Sequence, residues 1–223
     1  MAPIKDIRIY RSRIENINGN PLPTAFTNKA LMIAARRITM KLQEHQFTMG
    51  DFHHLYLNLT TCAVEDQIAP SARGADKYYP WYRYYDVQIS PSLYDALESP
   101  EGIQPVIELL EAVLQKYFCT PAFPAERIHS CISEAMTQGE QMLVKCKEKQ
   151  TAKHQAVIYL RYSDHGTYIP LLRVFDAEHH LLLEQDLPET DLLEAYGEIR
   201  LSAKKVTVHP KNQRDSEPIT FML

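Results

Sequence analysis

The spacing of apolar residues changes along the chain, and this change limits the fold more than any other feature. Up to about residue 150, stretches with an apolar residue at every second position are mixed with stretches that repeat about every 3.6 residues. The final third shows mainly the two-residue spacing of strands. The resulting order is strand, helix, two strands, two helices and then mostly strands. We predict an α+β fold with a largely antiparallel sheet and three main helices packed on one face.

The individual elements follow from these spacings and from turn and cap residues. Ser90 and Pro91 predict the start of a short helix, because serine is a good N-cap and proline fits the first helical turn. The longer predicted helices are 28–45, 103–118 and 125–149, with a further short helix at 189–196. The predicted strands are 4–14, 52–60, 82–90, 156–163, 168–176, 179–184, 198–209 and 219–223.

Length and composition favour an ordinary globular protein. The chain has 223 residues, of which 45% are hydrophobic, and no long linker interrupts it. We therefore expect a single domain over residues 1–223, with a weak internal boundary near 150–155. The first residues lack the apolar core of a secretory leader, and no run of about 18 apolar residues occurs. These features predict a cytoplasmic protein that does not contact a membrane.

Familiar signatures of enzymes and metal sites are absent from the sequence. There is no glycine-rich phosphate loop, no dinucleotide-binding glycine pattern, no zinc-protease helix motif and no nucleophile elbow. The four cysteines, at positions 62, 119, 131 and 146, include no Cys-x-x-Cys pair. We therefore expect a protein that is not an enzyme, with reduced cysteines, no metal and no cofactor.

His53 and His54, which follow Asp51, are the best candidates for acid–base or metal chemistry. Neighbouring residues of a strand point to opposite faces of the sheet. On that basis one histidine would pack inside and the other would reach the surface. The pair is then not expected to chelate one ion.

The segment Tyr78-Tyr79-Pro80-Trp81-Tyr82-Arg83-Tyr84-Tyr85 is the most unusual stretch, because six of its eight residues are aromatic. One interpretation is a tyrosine-rich core whose hydroxyl groups bond to the backbone. A second is a protein interface centred on Tyr79, Trp81, Tyr82 and Arg83, since these residue types dominate binding energy. A third is a stacking platform for single-stranded nucleic acid, with Arg73, Lys77 and Arg83 beside the phosphates.

Acidic residues dominate the segment 176–198, which contains eight of them and no lysine or arginine. Such a segment can be a solvated face, or it can attract a basic protein and speed its association. The second interpretation makes these residues candidate partner-binding residues. They are Asp176, Glu178, Glu184, Asp186, Glu189, Asp191, Glu194 and Glu198.

Residues 52–118 resemble a group of bacterial immunity proteins that are encoded beside polymorphic or contact-dependent-inhibition toxins. The resemblance joins the segment from Phe52 to Thr60, the polar loop containing Arg73, the segment from Tyr79 to Val87 and the helix 103–118. It implies a protein that binds and neutralises the C-terminal domain of one cognate toxin in the cytosol. Such toxins are often basic nucleases, and an acidic inhibitor can occupy their active sites.

Two other hypotheses stay open at the level of sequence. An enzyme acting on nucleic acid or nucleotides would bind through the segment 73–86 and use His53 or His54 with Asp51 or Asp86. The net charge of −4 argues against general affinity for nucleic acid. A scaffold protein would instead self-associate through the tyrosine-rich strand, and the sequence does not fix the oligomeric state.

Overall fold

The computed structural model describes residues 2–12, 28–71, 78–211 and 217–223. The chain divides into two compact units, Met1–Gly139 and Glu140–Leu223. The predicted α+β class is confirmed and most strand pairs are antiparallel, but the strands of the described residues form three sheets rather than one. Residues near 150–155, where the sequence indicated a weak boundary, form the turn between two paired strands of the second unit.

The two units differ in their elements. The first unit contains helices α1 (Lys29–Glu44), α2 (Pro91–Ala96), α3 (Ile103–Phe118) and α4 (Ala125–Gln138), with strands β1 (Asp6–Ser12), β2 (His54–Thr60), β3 (Ile68–Pro70) and β4 (Tyr82–Gln88). The second unit contains strands β5 (Val144–Gln150), β6 (His154–Tyr162), β7 (Tyr168–Asp176), β8 (Leu181–Asp186), β9 (Tyr196–Leu201), β10 (Lys205–Pro210) and β11 (Ile219–Met222).

The sheet of the first unit has the strand order β1-β2-β4-β3, and β1, β2 and β4 run parallel. Helix α1 supplies the crossover that two parallel neighbours such as β1 and β2 require, and it packs against β1. Alternate residues give one apolar face, on which Ile9, Leu55, Leu57 and Leu59 are fully buried. This face forms the core beneath the helices, and Tyr85 of β4 joins it by packing against Tyr117 of α3.

The opposite face of the same sheet carries polar and aromatic side chains. The register aligns Asp6 with His54 and Tyr82 across the three parallel strands. The next such row brings Tyr56 beside Tyr84, and both rings are buried. Because successive residues of β4 face opposite ways, the aromatic segment is shared between the two faces of the sheet.

Local signals explain where the first and third helices begin. Asn28 caps α1, because its side-chain oxygen accepts a hydrogen bond from the Leu31 amide at 3.1 Å. The amide group of Asn28 also donates to the Leu97 carbonyl at 2.8 Å, which ties α1 to the residue after α2. Helix α3 has the predicted bounds, and Gly102 precedes it where a Cβ atom would overlap the carbonyl oxygen of Ala96.

The helix predicted over residues 125–149 is wrong in its second half. Helix α4 ends at Gln138, and Gly139 then adopts a φ of 52°, a value that favours glycine. Residues Val144–Gln150 form the edge strand β5 instead. The lysines at 145, 147 and 149 therefore lie along a sheet edge, where charge discourages pairing with another chain.

The second unit is built from two antiparallel sheets, with strand orders β5-β6-β7-β8 and β11-β10-β9. Their apolar residues form one cluster that includes Ile158, Leu172, Val174, Val206 and Val208. The short helix predicted at 189–196 is wrong, because this stretch contains turns and a single bridge from Thr190 to Tyr168. The strand predicted at 198–209 is divided into the hairpin β9–β10. No helix in the described parts of the chain is long and apolar enough to cross a membrane.

Candidate functional site

Five rings gather where strands β2 and β4 begin. His53 and His54 lie beside Trp81 and Tyr82 because β2 and β4 are parallel neighbours that start at the same edge of the sheet. The Trp81 carbonyl accepts hydrogen bonds from the amides of His53 at 3.1 Å and His54 at 3.4 Å. The Tyr82 amide donates to the Tyr79 carbonyl at 3.1 Å, which closes the turn before β4. We call His53, His54, Tyr79, Trp81 and Tyr82 the aromatic surface.

The rings of the aromatic surface form two walls at nearly a right angle. Tyr79 and Tyr82 stack with their centroids 4.9 Å apart and their planes 6° apart. Trp81 is nearly perpendicular to both rings, at 82° to Tyr79 and 85° to Tyr82. His53 stacks on Trp81, with 5.6 Å between the centroids and 24° between the planes. These contacts hold each ring in one orientation.

Part of this arrangement stays open to solvent. Tyr79 is 46% exposed and Trp81 is 37% exposed, whereas Tyr84 and Tyr85 are buried. The aromatic segment therefore contributes both to the core and to the surface. Trp81 is the only tryptophan of the chain, which makes it a selective probe of this surface.

The two histidines meet, contrary to the expectation that they point to opposite faces. Their Nδ1 atoms are 2.6 Å apart. The rule of alternation fails here because His53 precedes the first residue of β2 and is not part of the ladder. One Nδ1 atom must carry a hydrogen and the other must accept it, so the two rings have complementary tautomers.

Burial and neighbouring cations disfavour the charged forms of both histidines. Burial, and after it the charge of neighbouring His53, lower the pKa of His54 to about 4. Burial and then the charge of Lys5 lower the pKa of His53 below its usual value. Both rings are therefore neutral at pH 7.

The other residues predicted to act with the histidines do not join them. Arg83 lies on the opposite face from Tyr82, where its guanidinium carbon is 5.1 Å from the ring centroid of Phe52. Asp86 is near the far end of β4 and accepts a hydrogen bond from Asn58 at 2.8 Å. Asp51 is exposed in the turn before β2, and Arg73 and Lys77 fall outside the described residues. Two histidines, the half-buried ring of Tyr82 and the exposed rings of Tyr79 and Trp81 are thus what this site brings together.

Other aromatic rings of the protein already have a cation above them. Within the described ranges, no lysine or arginine lies over Tyr79, Trp81 or Tyr82. Seven other pairs place a cationic group 4.7–5.8 Å from a ring centroid. They are Arg8–Tyr56, Arg11–Tyr94, Arg83–Phe52, Arg83–Tyr85, Lys116–Tyr117, Arg127–Phe123 and Arg173–Tyr159.

Most of the basic partners of the acidic segment 176–198 lie outside the segment. Glu184 contacts Arg173 of the neighbouring strand at 2.7 Å, and Asp186 pairs with Arg161. The remaining pairs are Asp176–His180, Glu194–Lys211 and Glu198–Arg200, and Glu189 accepts from the hydroxyl of Thr167. Much of the negative charge expected of this segment is therefore balanced within the second unit.

Asp176, Glu178 and His180 offer ligand atoms within 4.8 Å of one another. The Asp176 carboxylate is already engaged, because it accepts the amides of Glu178 and His180 and contacts Nδ1 of His180. The His180 amide in particular holds the pKa of Asp176 below its usual range. These bonds explain the cluster as the turn between β7 and β8.

A polar cleft of about 490 Å³ lies on the face of β6, β7 and β8 that carries two of these ion pairs. Its charged lining consists of Arg161, Arg173, Glu184 and Asp186, which are bonded to one another across the strands. The cleft therefore has less charge to offer a ligand than its composition suggests.

Comparison with protein-family models, with curated proteins and with solved structures found no match. The site is accordingly interpreted from its own geometry.

Proposed function

We propose that the protein is a non-enzymatic binding protein that neutralises a cognate toxin domain by direct contact, with the aromatic surface at the centre of the interface. The observation that carries this proposal is the set of fixed, partly exposed rings of Tyr79, Trp81 and Tyr82. Tyrosine and tryptophan are enriched among the residues that dominate binding energy at protein interfaces. The class of partner comes from the resemblance of residues 52–118 to immunity proteins of toxin systems.

The preorganised backbone supports the same proposal. Because the amides of His53, His54 and Tyr82 are bonded to carbonyl groups of the aromatic segment, binding does not have to order this loop. Less conformational entropy is then lost on association. The acidic segment has a smaller role in this proposal, because several of its carboxylates already pair with cations of the second unit.

The test is co-expression with the C-terminal domain of the toxin encoded next to this protein. We expect growth to be rescued and a stable 1:1 complex to be purified at about 150 mM and at about 500 mM salt, since buried aromatic contacts are little screened. Trp81→Ala should abolish both effects. Leu182→Ala is the matched control, because Leu182 is an exposed apolar residue of β8, 46% exposed, in the second unit.

Failure of the wild-type protein to rescue growth or to bind the toxin domain would overturn the proposal. The histidine pair beside exposed rings favours one competitor, which is binding of single-stranded nucleic acid. Salt-sensitive binding of an oligonucleotide without binding of the toxin domain would support that competitor. A dimer that resists dilution and dissociates in Trp81→Ala would support the scaffold hypothesis instead.

A further inference from the structure

We infer that the aromatic surface receives a cationic side chain of the partner, an arginine above all, against the exposed parts of Trp81 and Tyr79. This inference rests on the proposed function and names the chemistry that the partner presents. It makes the aromatic surface a site for one charged group rather than a general apolar contact.

The ring geometry supports a cationic occupant. The face of an aromatic ring carries partial negative charge, and a cation is attracted when it lies within about 6 Å of the centroid, most strongly over tryptophan. Trp81 meets Tyr79 and Tyr82 edge to face, with centroids 6.0 and 6.3 Å apart. Trp81 and Tyr79 both stay more than one-third exposed, so a partner can reach these two rings. A planar guanidinium can stack on the indole of Trp81, which a compact ammonium group cannot do.

The pattern of cation–ring pairs in the rest of the chain points the same way. Seven other rings have a lysine or arginine of this protein over them, at 4.7–5.8 Å from the centroid. Among the described residues, Tyr79, Trp81 and Tyr82 have none, and two of them are more than one-third exposed. Within the described ranges, Tyr79 and Trp81 are thus exposed rings over which no cation of this chain lies.

The charged groups around the surface are compatible with this occupant. Neutral His53 stacks on Trp81 and brings no positive charge to the indole at pH 7. Arg8 is bonded to Asp6 at 2.7 Å, and its guanidinium carbon lies 5.6 Å from the Tyr56 centroid, so its charge is engaged elsewhere. Lys5 is an exposed neighbour of this surface, and its positive charge opposes the binding of a second cation there.

Fluorine NMR of the full chain tests the inference directly. Growth on a monofluorinated tryptophan labels Trp81 alone and gives one signal. We expect hexa-arginine to shift this signal saturably, with hexa-lysine weaker and hexa-glutamate without effect. The shift should be lost in Tyr79→Leu and retained in Leu182→Ala. Equal shifts with hexa-arginine and hexa-glutamate, no shift at all, or a shift only with an oligothymidylate would overturn the inference.

A second experiment separates the inference from the proposed function. Adding fluorine atoms to the Trp81 indole withdraws electron density from its face while its shape changes little. The affinity for the toxin domain should then fall with each fluorine, by about three- to thirtyfold over the series. Binding that is insensitive to fluorination would refute the inference and leave the proposed function standing. A response to hexa-arginine without any binding of the toxin domain would refute the proposed function alone.

Discussion

The aromatic surface and the acidic segment look alike in the sequence, since each is a run of one kind of side chain. In the folded protein, however, their side chains make different kinds of contact. The acids of β8 and of the turns around it meet cations from β6, from β7 and from the residue after β10. The rings of Tyr79, Trp81 and Tyr82 meet one another, and Tyr79 and Trp81 stay partly exposed. A run of like charges between antiparallel strands therefore says little about the charge of the final surface.

The physical reason for this difference lies in the contacts that carboxylates and aromatic rings can make. A carboxylate on one strand has opposite neighbours on the adjacent strand, and an arginine there largely cancels its charge. When one face of an aromatic ring is stacked, its other face can still contact another group, so a cluster of rings can still bind a partner. The comparison predicts that binding depends on the rings far more than on the acids.

The largest effect should come from removing the tryptophan. We expect Trp81→Ala to weaken binding of the toxin domain by about 2–4 kcal/mol, because truncating a central aromatic anchor is among the costliest changes at an interface. The free energy of unfolding should change much less, since Trp81 is 37% exposed. Calorimetric titration and chemical denaturation measure the two quantities. A large loss of stability with little loss of affinity would make Trp81 part of the core instead.

The next effect concerns the histidines within the aromatic surface. The unfolded chain protonates His54 at its ordinary pKa of 6.5, whereas burial holds the folded pKa at about 4. Stability from neutral His54 is therefore complete above pH 6.5 and is lost as the pH falls towards 4. Because the ring is partly exposed, we expect a loss of about 1–2 kcal/mol over this range.

Thermal or denaturant unfolding at several pH values measures this dependence. His54→Gln should flatten the curve between pH 6.5 and pH 4. His165→Gln is the control, because His165 is exposed in the turn between β6 and β7. Equal curves for the wild type and His54→Gln would show that the histidine contact does not govern the stability of this edge.

A smaller effect should distinguish the acidic segment. Glu184→Gln leaves Arg173 without its partner at 2.7 Å, and a double-mutant cycle with Arg173→Gln isolates the pair. We expect a coupling of about 0.2–1 kcal/mol in stability, as for other exposed ion pairs, and almost no change in toxin binding. A strong loss of toxin binding in Glu184→Gln would instead show that the acidic segment is central to the interface.

The smallest effect should come from Lys5. Its charge lowers the pKa of His53 and opposes a cation at the aromatic surface. Lys5→Gln should therefore strengthen toxin binding by a few tenths of a kcal/mol at low salt, and added salt should erase the difference. Kinetic binding measurements at two salt concentrations resolve it, with Lys204→Gln in the second unit as the control. Weaker binding in Lys5→Gln would contradict a cationic occupant.

The parts of the fold that the sequence predicted well depend on local signals. Helix α3 has the predicted bounds because its apolar residues repeat without interruption. Helix α1 begins after Asn28, and α2 begins after Ser90, whose hydroxyl accepts from the Leu93 amide. Such caps act within a few residues, so they can be read directly from the sequence.

The wrong predictions of secondary structure occurred where both the helical and the strand spacing of apolar residues fit the same segment. Val144 and Cys146 extend the apolar stripe of α4 when they are counted as helix, but they also alternate with lysines as a strand does. Gly139, with its positive φ, was the signal that the helix stops. The acids between 189 and 194 similarly suggested a solvated helix face, whereas the chain turns there.

The candidate site required information that no local pattern contains. The meeting of His53 with Trp81 depends on the parallel register of β2 and β4, and a parallel sheet was not predicted. The cationic partners of Glu184 and Asp186 lie on other strands and become visible only with the strand order. The density of rings in the aromatic segment predicts that some of them are exposed. It does not predict which rings these are.

The close approach at Gly102 has a consequence for tracing the history of this protein. Any side chain there would overlap the Ala96 carbonyl, and the adjoining segment is tied to α1 by the bond from Asn28 to Leu97. Descendants of a common ancestor that keep this junction should retain glycine and asparagine at these two positions while much of the surface diverges. That pair of positions offers a marker by which distant relatives can be recognised when overall similarity has faded.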